Sequence, residues 1–419
     1  MSARKFLLAA TLLSYGAGCN WTEFDDLEGD SWISVQGQPN DDSTDFGVAL
    51  ARGTKDTNPG DGGSIVALGT GQAQYVQLVY SDTGSVDVKN ALPLNSQFGV
   101  GNLDLQPVLI SDPASNEVGL VATTGGDQVT VLHGDGAVVD RQVFGPRVAI
   151  SATYMTLPSG MTFPIVAAGP DETSSAVYPA PYVNYPNPAP KCELKTLDGT
   201  AVNIRALGAA FVTSTTEHDL VVWSQTGDLL VYDGDVFLAQ NGTTCPGAQT
   251  GGMQLPLAGR VVATPFQPSR GSQILMFENR YAILVGRKDL NNPDSFLAMY
   301  DVTTTPPALI GSPVTVPELR TAAILAAGSD SYLVAGYPTA NIDGVKSGRV
   351  QVYQFNATTG IAAESVLTLH DATPESDQQF GRAIAVTEFN GTPVIAVGAD
   401  NEVFFYFRTA LYGETREGK

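Results

Sequence analysis

The sequence predicts an all-β fold made of repeated four-stranded antiparallel sheets, on three observations. Phe-Gly recurs at Phe46-Gly47, Phe98-Gly99 and Phe380-Gly381, and a Gly-punctuated, β-branched run follows each time. Apolar runs that end in Gly return along the chain as Ile65–Gly69, Ile165–Gly169, Ile283–Gly286, Leu333–Gly336 and Ile395–Gly398. Short strand-like segments are separated by Gly- and Pro-rich turns, and the 44 Gly and 26 Pro leave almost no stretch with helical periodicity. Self-similarity at one period outranks any local motif, because each unit buries its apolar face only by stacking on the next.

The clearest unit runs from His218 to Gln240. Asp219–Trp223 reads as a strand, Gln225-Thr226-Gly227 as a turn, Asp228–Tyr232 as the next strand, Asp233-Gly234 as a tight turn and Val236–Ala239 as a third strand. Asp-Gly between alternating runs is a strong hairpin signal. The same layout appears at Val118–Val143, with His133-Gly134-Asp135-Gly136 as its turn, and at Ile65–Val88, Ile283–Ile310, Tyr332–Leu367 and Val394–Phe407. Adding Leu120–Thr123 and Leu220–Trp223 to the Gly-ended runs makes seven units about 55 residues apart. Continuous apolar runs suit the buried inner strand of each sheet, and the alternating runs after them suit strands with one solvated face. Seven such sheets close into a seven-bladed β-propeller that hides most strand edges. Trp32-Ile33-Ser34-Val35 is the expected outer strand of the last sheet, which otherwise ends at Phe404-Phe405-Tyr406-Phe407. An open β-solenoid or a pair of sandwiches needs no such returning strand and is the competing architecture.

The first eighteen residues carry Arg4 and Lys5, an apolar stretch from Phe6 to Leu13, and Gly16-Ala17-Gly18 directly before Cys19. This is the pattern of a secretory signal over residues 1–18, too short for a membrane-spanning helix. Small residues followed at once by Cys resemble the lipobox of bacterial lipoproteins, with Gly16 where that family usually has Leu. The resemblance implies acylation of Cys19, with simple cleavage after Gly18 as the alternative, and an envelope location, anchored at the outer membrane on its periplasmic or surface face. Three cysteines leave an odd one in an exported chain. With Cys19 lipidated, Cys192 and Cys245 are left either as a disulfide or as two separate thiols. Residues 19–31 read as an acidic tether, 32–411 as one propeller domain and 412–419 as a disordered tail.

Net charge is −21 and the isoelectric point about 4.3. Phosphate backbones repel such a chain, so nucleic acid is excluded as a partner, and membrane attachment rests on Cys19 alone. Catalytic motifs are missing: no His-Glu-x-x-His, no Gly-x-Ser-x-Gly elbow and no Gly-rich phosphate loop occurs. Only His133, His218 and His370 are present, far apart in the chain. The reading is therefore of a non-enzyme, with no catalytic residue assigned. A glycosidase-type carboxylate pair in a central channel is the one enzymatic alternative, as in a propeller hydrolase acting on polysaccharide.

Phe46-Gly47-Val48-Ala49 and Phe380-Gly381-Arg382-Ala383-Ile384-Ala385-Val386, each leading to an apolar strand closed by Gly69 or Gly398, resemble the FG-GAP repeats of integrin α-type β-propellers and of many bacterial exported proteins. The resemblance implies a seven-bladed propeller used for adhesion and partner binding, with calcium in some blades. The calcium loop corresponds here to Asp56–Ser64, in which Asp56, Asn58 and Asp61 keep oxygen ligands while Pro59-Gly60 interrupts the spacing. Calcium wants six or more oxygens, so both a bound ion and a plain Asx/Gly turn stay open. Asn390-Gly391 reads as a hairpin turn.

The segment from Tyr178 to Lys191 is rich in proline and carries Tyr178, Tyr182 and Tyr185 just before Cys192. It reads as a semi-rigid loop, either a recognition surface or a simple covering. The expectation is a monomeric, lipid-anchored module binding a protein or extracellular ligand, with a periplasmic part in an outer-membrane assembly as a further alternative.

Overall fold

The computed structural model describes residues 32–36, 47, 49–52, 61–69, 72–80, 86–94, 120–124, 128–132, 138–142, 148–156, 162–169, 174–179, 192–234, 253–287, 294–327, 330–371, 374–389, 392–400 and 402–407. Among them every regular element is a β-strand. β1 (Trp32–Gln36) stands apart at the start of the chain. β2 (Ala49–Arg52), β3 (Asp61–Gly69), β4 (Gln72–Tyr80) and β5 (Val86–Leu94) pair in chain order, as do β6 (Leu120–Thr124), β7 (Gln128–Leu132) and β8 (Val138–Gln142). In the following sheet β9 (Val148–Thr156), β10 (Thr162–Gly169), β11 (Ala176–Pro179) and β12 (Cys192–Leu194) pair in order, and β16 (Met253–Gln254) adds parallel to β12. β13 (Ile204–Ala210), β14 (Asp219–Ser224), β15 (Asp228–Tyr232) and β17 (Val261–Ala263) form the next, then β18 (Gln273–Phe277), β19 (Tyr281–Gly286), β20 (Ser295–Asp301) and β21 (Ala308–Val316).

β22 (Thr321–Ala327), β23 (Asp330–Tyr337) and β26 (Arg349–Asn356) form a sheet in which β27 (Gly360–Ile361) and β28 (Leu367–Leu369) share the outer edge of β26. The small hairpin of β24 (Asn341–Ile342) and β25 (Val345–Lys346) projects between β23 and β26. The last sheet holds β29 (Ala383–Phe389), β30 (Thr392–Ala399) and β31 (Glu402–Phe407). β1 lies antiparallel on the outer edge of β31, with Trp32 opposite Tyr406 and Gln36 opposite Glu402. The first and last parts of the described chain are thus in one sheet. Phe389 faces Thr392 across the β29–β30 connection, the spacing that Asn390-Gly391 predicts.

The hydrophobic cores lie between successive sheets. Leu207, Leu220, Val222 and Leu230 pack with Met155, Ile165 and Val177 of the preceding sheet. The opposite face of the same sheet gives Val221, Trp223 and Leu229 to a core shared with Leu284, Phe296 and Tyr300. Trp223 meets Phe296 edge to face at 5.5 Å. A sheet covered on both faces needs strands that are apolar throughout, and β14 and β19 are buried at every residue.

Those apolar runs are inner strands, as the sequence reading has them. β3, β10, β14, β19, β23 and β30 each stand second in their sheets, and apart from β18 the strand before them carries Ala or other small residues. First strands of neighbouring sheets pack directly, β13 on β18, β18 on β22 and β22 on β29, so the sheets come closest there. Small side chains answer that crowding: a Cβ on Gly208 of β13 would lie 2.8 Å from the Ile274 side chain of β18. The unit at His218 gains a partner distant in sequence: β15 pairs with β17 along Asp228–Leu230, and the Val231 carbonyl accepts from Leu257 N–H. Residues 236–239 lie outside the described residues.

Two of the Phe-Gly turns dock on glycines of the adjacent sheet. Gly47 and Gly381 both have φ of +88°. A Cβ on Gly398 would sit 2.1 Å from the Gly47 carbonyl oxygen, and one on Gly336 would sit 2.0 Å from that of Gly381. The Gly398 carbonyl accepts from Gly381 N–H and Arg382 N–H, each at 3.1 Å. Phe380 is fully buried and meets Phe404 and Tyr406 edge-on, which fixes the turn over the last sheet.

A polar node ties β9 to the start of β14. Thr156 N–H donates to Nδ1 of His218 at 3.0 Å, and His218 N–H donates to the Thr156 carbonyl at 3.1 Å. Beside it the buried Asp219 carboxylate accepts from Thr213 N–H at 2.7 Å, Val212 N–H at 3.2 Å and Gly234 N–H at 2.9 Å, closing the loop before β14. Burial pushes the His218 imidazole down to about 4, against the opposing pull of Asp219. Above the ordinary value the ring is neutral in both folded and unfolded chains. Below it the unfolded chain takes a proton that the folded chain refuses, so stability falls as pH drops from about 6.5 toward about 4. The loss is roughly 3 kcal/mol at about 1.4 kcal/mol per pH unit. His218→Asn, which keeps an acceptor without titrating, is expected to flatten the pH dependence of the urea midpoint over this window; an unchanged slope would contradict the assignment.

Candidate functional site

Innermost strands that run in the same direction start at the same end of their sheets, and the sequence places arginine there. Arg320 directly precedes β22, Arg382 directly precedes β29, and Arg270 lies three residues before β18. β19 runs antiparallel to β18, so Arg287, which follows the last residue of β19, lies at that end too. Arg147 holds the corresponding sequence slot before β9 and lies outside the described residues.

Local structure fixes each backbone. Arg320 N–H donates to the Gly336 carbonyl at 2.9 Å, as Arg382 N–H does to that of Gly398 at 3.1 Å. Arg287 is held between two buried serines: its N–H donates to Ser272 Oγ at 3.2 Å, and its carbonyl accepts from Ser269 Oγ. Arg287 is 9% exposed, and Arg270, Arg320 and Arg382 are half-buried.

The charges of these groups bear on one another. Burial pushes Arg320 down to about 8, and the charges of Arg287, Arg382 and Arg270 push it further in the same direction. Burial lowers Arg287 to about 10, helped by the charge of Arg270. Both values stay above neutrality, so both groups are cations at pH 7. Three successive sheets therefore bring four cations to one end, in a chain whose 43 acidic residues outnumber its 22 basic ones.

The residues singled out from the sequence fall elsewhere. Tyr178 is 3% exposed in β11, opposite Val166 of β10, so it belongs to the sheet core and not to an exposed recognition loop. The misreading arose because the strand Ala176–Pro179 runs straight into the proline-rich segment. Tyr182 and Tyr185 lie outside the described residues. Cys192 is 1% exposed in β12, while Cys245 and Cys19 lie outside the described residues. Asp61 opens β3 opposite Val79, and Asp56 and Asn58 lie outside the described residues. Among the described residues no group of three or more His, Cys, Asp or Glu is placed to hold a metal ion. No helix among them is long and apolar enough to cross a membrane. The arginines were missed because they are scattered in sequence; the available signal was Arg directly before the small-residue strands β22 and β29.

No protein-family model matches the chain, and no curated protein matches it either. Solved structures do. A chain of Polycomb Repressive Complex 2 from Chaetomium thermophilum bound to GSK126 superposes with a TM-score of 0.55 at 10% identity, covering 90% of this chain and 98% of that one. The crystal structure of the Chaetomium thermophilum complex gives a TM-score of 0.53 at 10% identity, over 90% of this chain and 97% of that one. At such identity the likeness shows the fold alone, and the fold is that of a β-propeller: all-β, repeat-built, of antiparallel sheets that are mostly four-stranded.

Proposed function

We propose that this chain is an exported, lipid-anchored β-propeller of FG-GAP type, with seven blades in a ring closed by β1, that works as a protein-interaction scaffold at the cell envelope. The observation that carries the scaffold reading is the fold itself, which spans nearly the full length of a propeller chain from a Polycomb Repressive Complex 2 structure. The pairing of β1 with β31 supports ring closure, and the seating of Gly47 on Gly398 supports contact between first and last blades. Export rests on the leader and on Cys19, and a Cys192–Cys245 disulfide fits the oxidising space beyond the inner membrane. A monomer is the expected state, and a calcium ion at Asp56, Asn58 and Asp61 belongs to the same resemblance.

Fractionation of the source cell tests this reading. Wild-type protein is expected in the membrane fraction with Cys19 as its first residue, and Cys19→Ala is expected to move more than about nine-tenths of it to the soluble fraction. Protein that stays in the cytosol and still begins at Met1 would overturn it. Protection from external protease until the outer membrane is opened would place it on the periplasmic face, in an envelope assembly.

A further inference from the structure

We propose that the disulfide at Cys192 works as a redox-sensitive strap. It holds β16 across the outer edge of the preceding sheet, and a dithiol that reduces it frees that edge while both sheets stay folded. The inference rests on the Cys192–Cys245 pairing that accompanies the export reading, and adds what the bond controls.

The chain crosses between sheets here. β15 and β17 pair in one sheet, yet β16, which lies between them in sequence, pairs with β12 of the sheet before. Gly234 N–H donates to Asp219 Oδ1 at 2.9 Å and Leu257 N–H to the Val231 carbonyl at 2.8 Å, so the crossing leaves from and returns to fixed points of its own sheet. Among the described residues two register pairs hold it to β12, Glu193 with Met253 and Leu194 with Gln254. A parallel ladder that short is marginal without a further link. β12 itself does not depend on β16. Val177 pairs with Cys192 on the inner side, Leu194 N–H donates to the Ser175 carbonyl at 2.6 Å, and the Leu194 carbonyl accepts from Val202 N–H at 3.0 Å. The Tyr232 hydroxyl donates to the Lys195 carbonyl at 2.9 Å, a second tie between the two sheets that reduction leaves in place. The Cys192 sulfur supplies the further link, since the residue is 1% exposed and in a disulfide. Cys245 comes eight residues before Met253, whose register partner Glu193 adjoins Cys192, whereas Cys19 precedes β1 in the last sheet. Attack by a dithiol breaks the S–S bond and passes two electrons and two protons to the pair, leaving two thiols and the dithiol's own disulfide. Freed of β16, the outer edge of β12 presents the backbone groups of Glu193 and Leu194, and an open strand edge pairs with extended peptide.

Peptide mapping of the full chain without reductant tests the pairing, and hydrogen exchange of the Cys19→Ala form with and without dithiothreitol tests the release. A Cys192 peptide joined to a Cys245 peptide is expected. Reduction is expected to speed exchange by about tenfold or more at residues 193–194 and 253–254, with β10, β14 and β15 unchanged. Cys245→Ser is expected to show the fast exchange without reductant and to ignore dithiothreitol. The strap is overturned if both cysteines are recovered as free thiols, or if reduction leaves both segments as slow as before. It is also overturned if reduction opens β10, β14 and β15 as well, because the bond would then hold the whole fold and not one edge. Cys192 joined to Cys19 would overturn the acylation reading together with the strap, whereas unchanged exchange in a chain found at the membrane overturns the strap alone.

Discussion

Gly398→Ala is expected to destabilise the protein by about 3 kcal/mol or more, although it adds a single methyl group. The new Cβ would lie 2.1 Å from the Gly47 carbonyl oxygen, and the atom it meets is backbone, so no side chain can rotate away. Gly47 itself sits at φ +88° in the turn that leads into β2, so moving it shifts the first strand of its sheet. Gly336→Ala should behave alike, since its Cβ would lie 2.0 Å from the Gly381 carbonyl oxygen. Gly344→Ala separates this steric effect from dihedral strain. Gly344 has φ +90° and open space around it, so its substitution carries only the left-handed cost of about 1–2 kcal/mol. Urea unfolding of the three variants would show the order; equal, small losses would mean that the Phe-Gly turns do not interlock the sheets.

Removing β1 is expected to have the second large effect. A chain beginning at residue 32 should unfold at the same urea midpoint as one that keeps residues 19–31, whereas one beginning at residue 37 loses every ladder bond to β31, at about 1 kcal/mol for each. The register from Trp32–Tyr406 to Gln36–Glu402 would be vacated. β31 would then become an edge strand containing Val403, Phe404, Phe405 and Tyr406, all now buried. Long apolar edges pair with other chains, so the shorter protein is expected to elute as aggregates in size-exclusion chromatography. A monomer of unchanged stability would mean that β1 is dispensable.

How much of this was legible in the sequence differs by element. The second strand of each sheet was plain, because a strand covered on both faces must be apolar at every position, and Ile283–Gly286 or Leu333–Gly336 offers no other reading. The returning strand at Trp32 was visible as a strand-like run standing ahead of the first repeat unit. First strands were not visible. Segments such as Ala322-Ala323 and Ala383-Ile384-Ala385 are chosen for close approach between sheets, and alanine carries little β-propensity. The partner of β15 was hidden because residues 235–252 separate it from β17, and a local hairpin signal at Asp233-Gly234 was the nearer candidate. Tyr178 was misplaced for the opposite reason, since proline beyond Pro179 masked the end of a strand. The common end of the arginines depends on the strand order of three sheets, which spacing along one chain does not encode.

The scaffold reading is most directly tested by crosslinking in intact source cells, followed by mass spectrometry of the purified chain. The account predicts one defined higher-mass species in the membrane fraction that joins this protein to a second protein, and its loss when Cys19→Ala releases the chain from the membrane. Recovery of the chain only as an uncrosslinked cytosolic monomer would contradict both the export and the scaffold role.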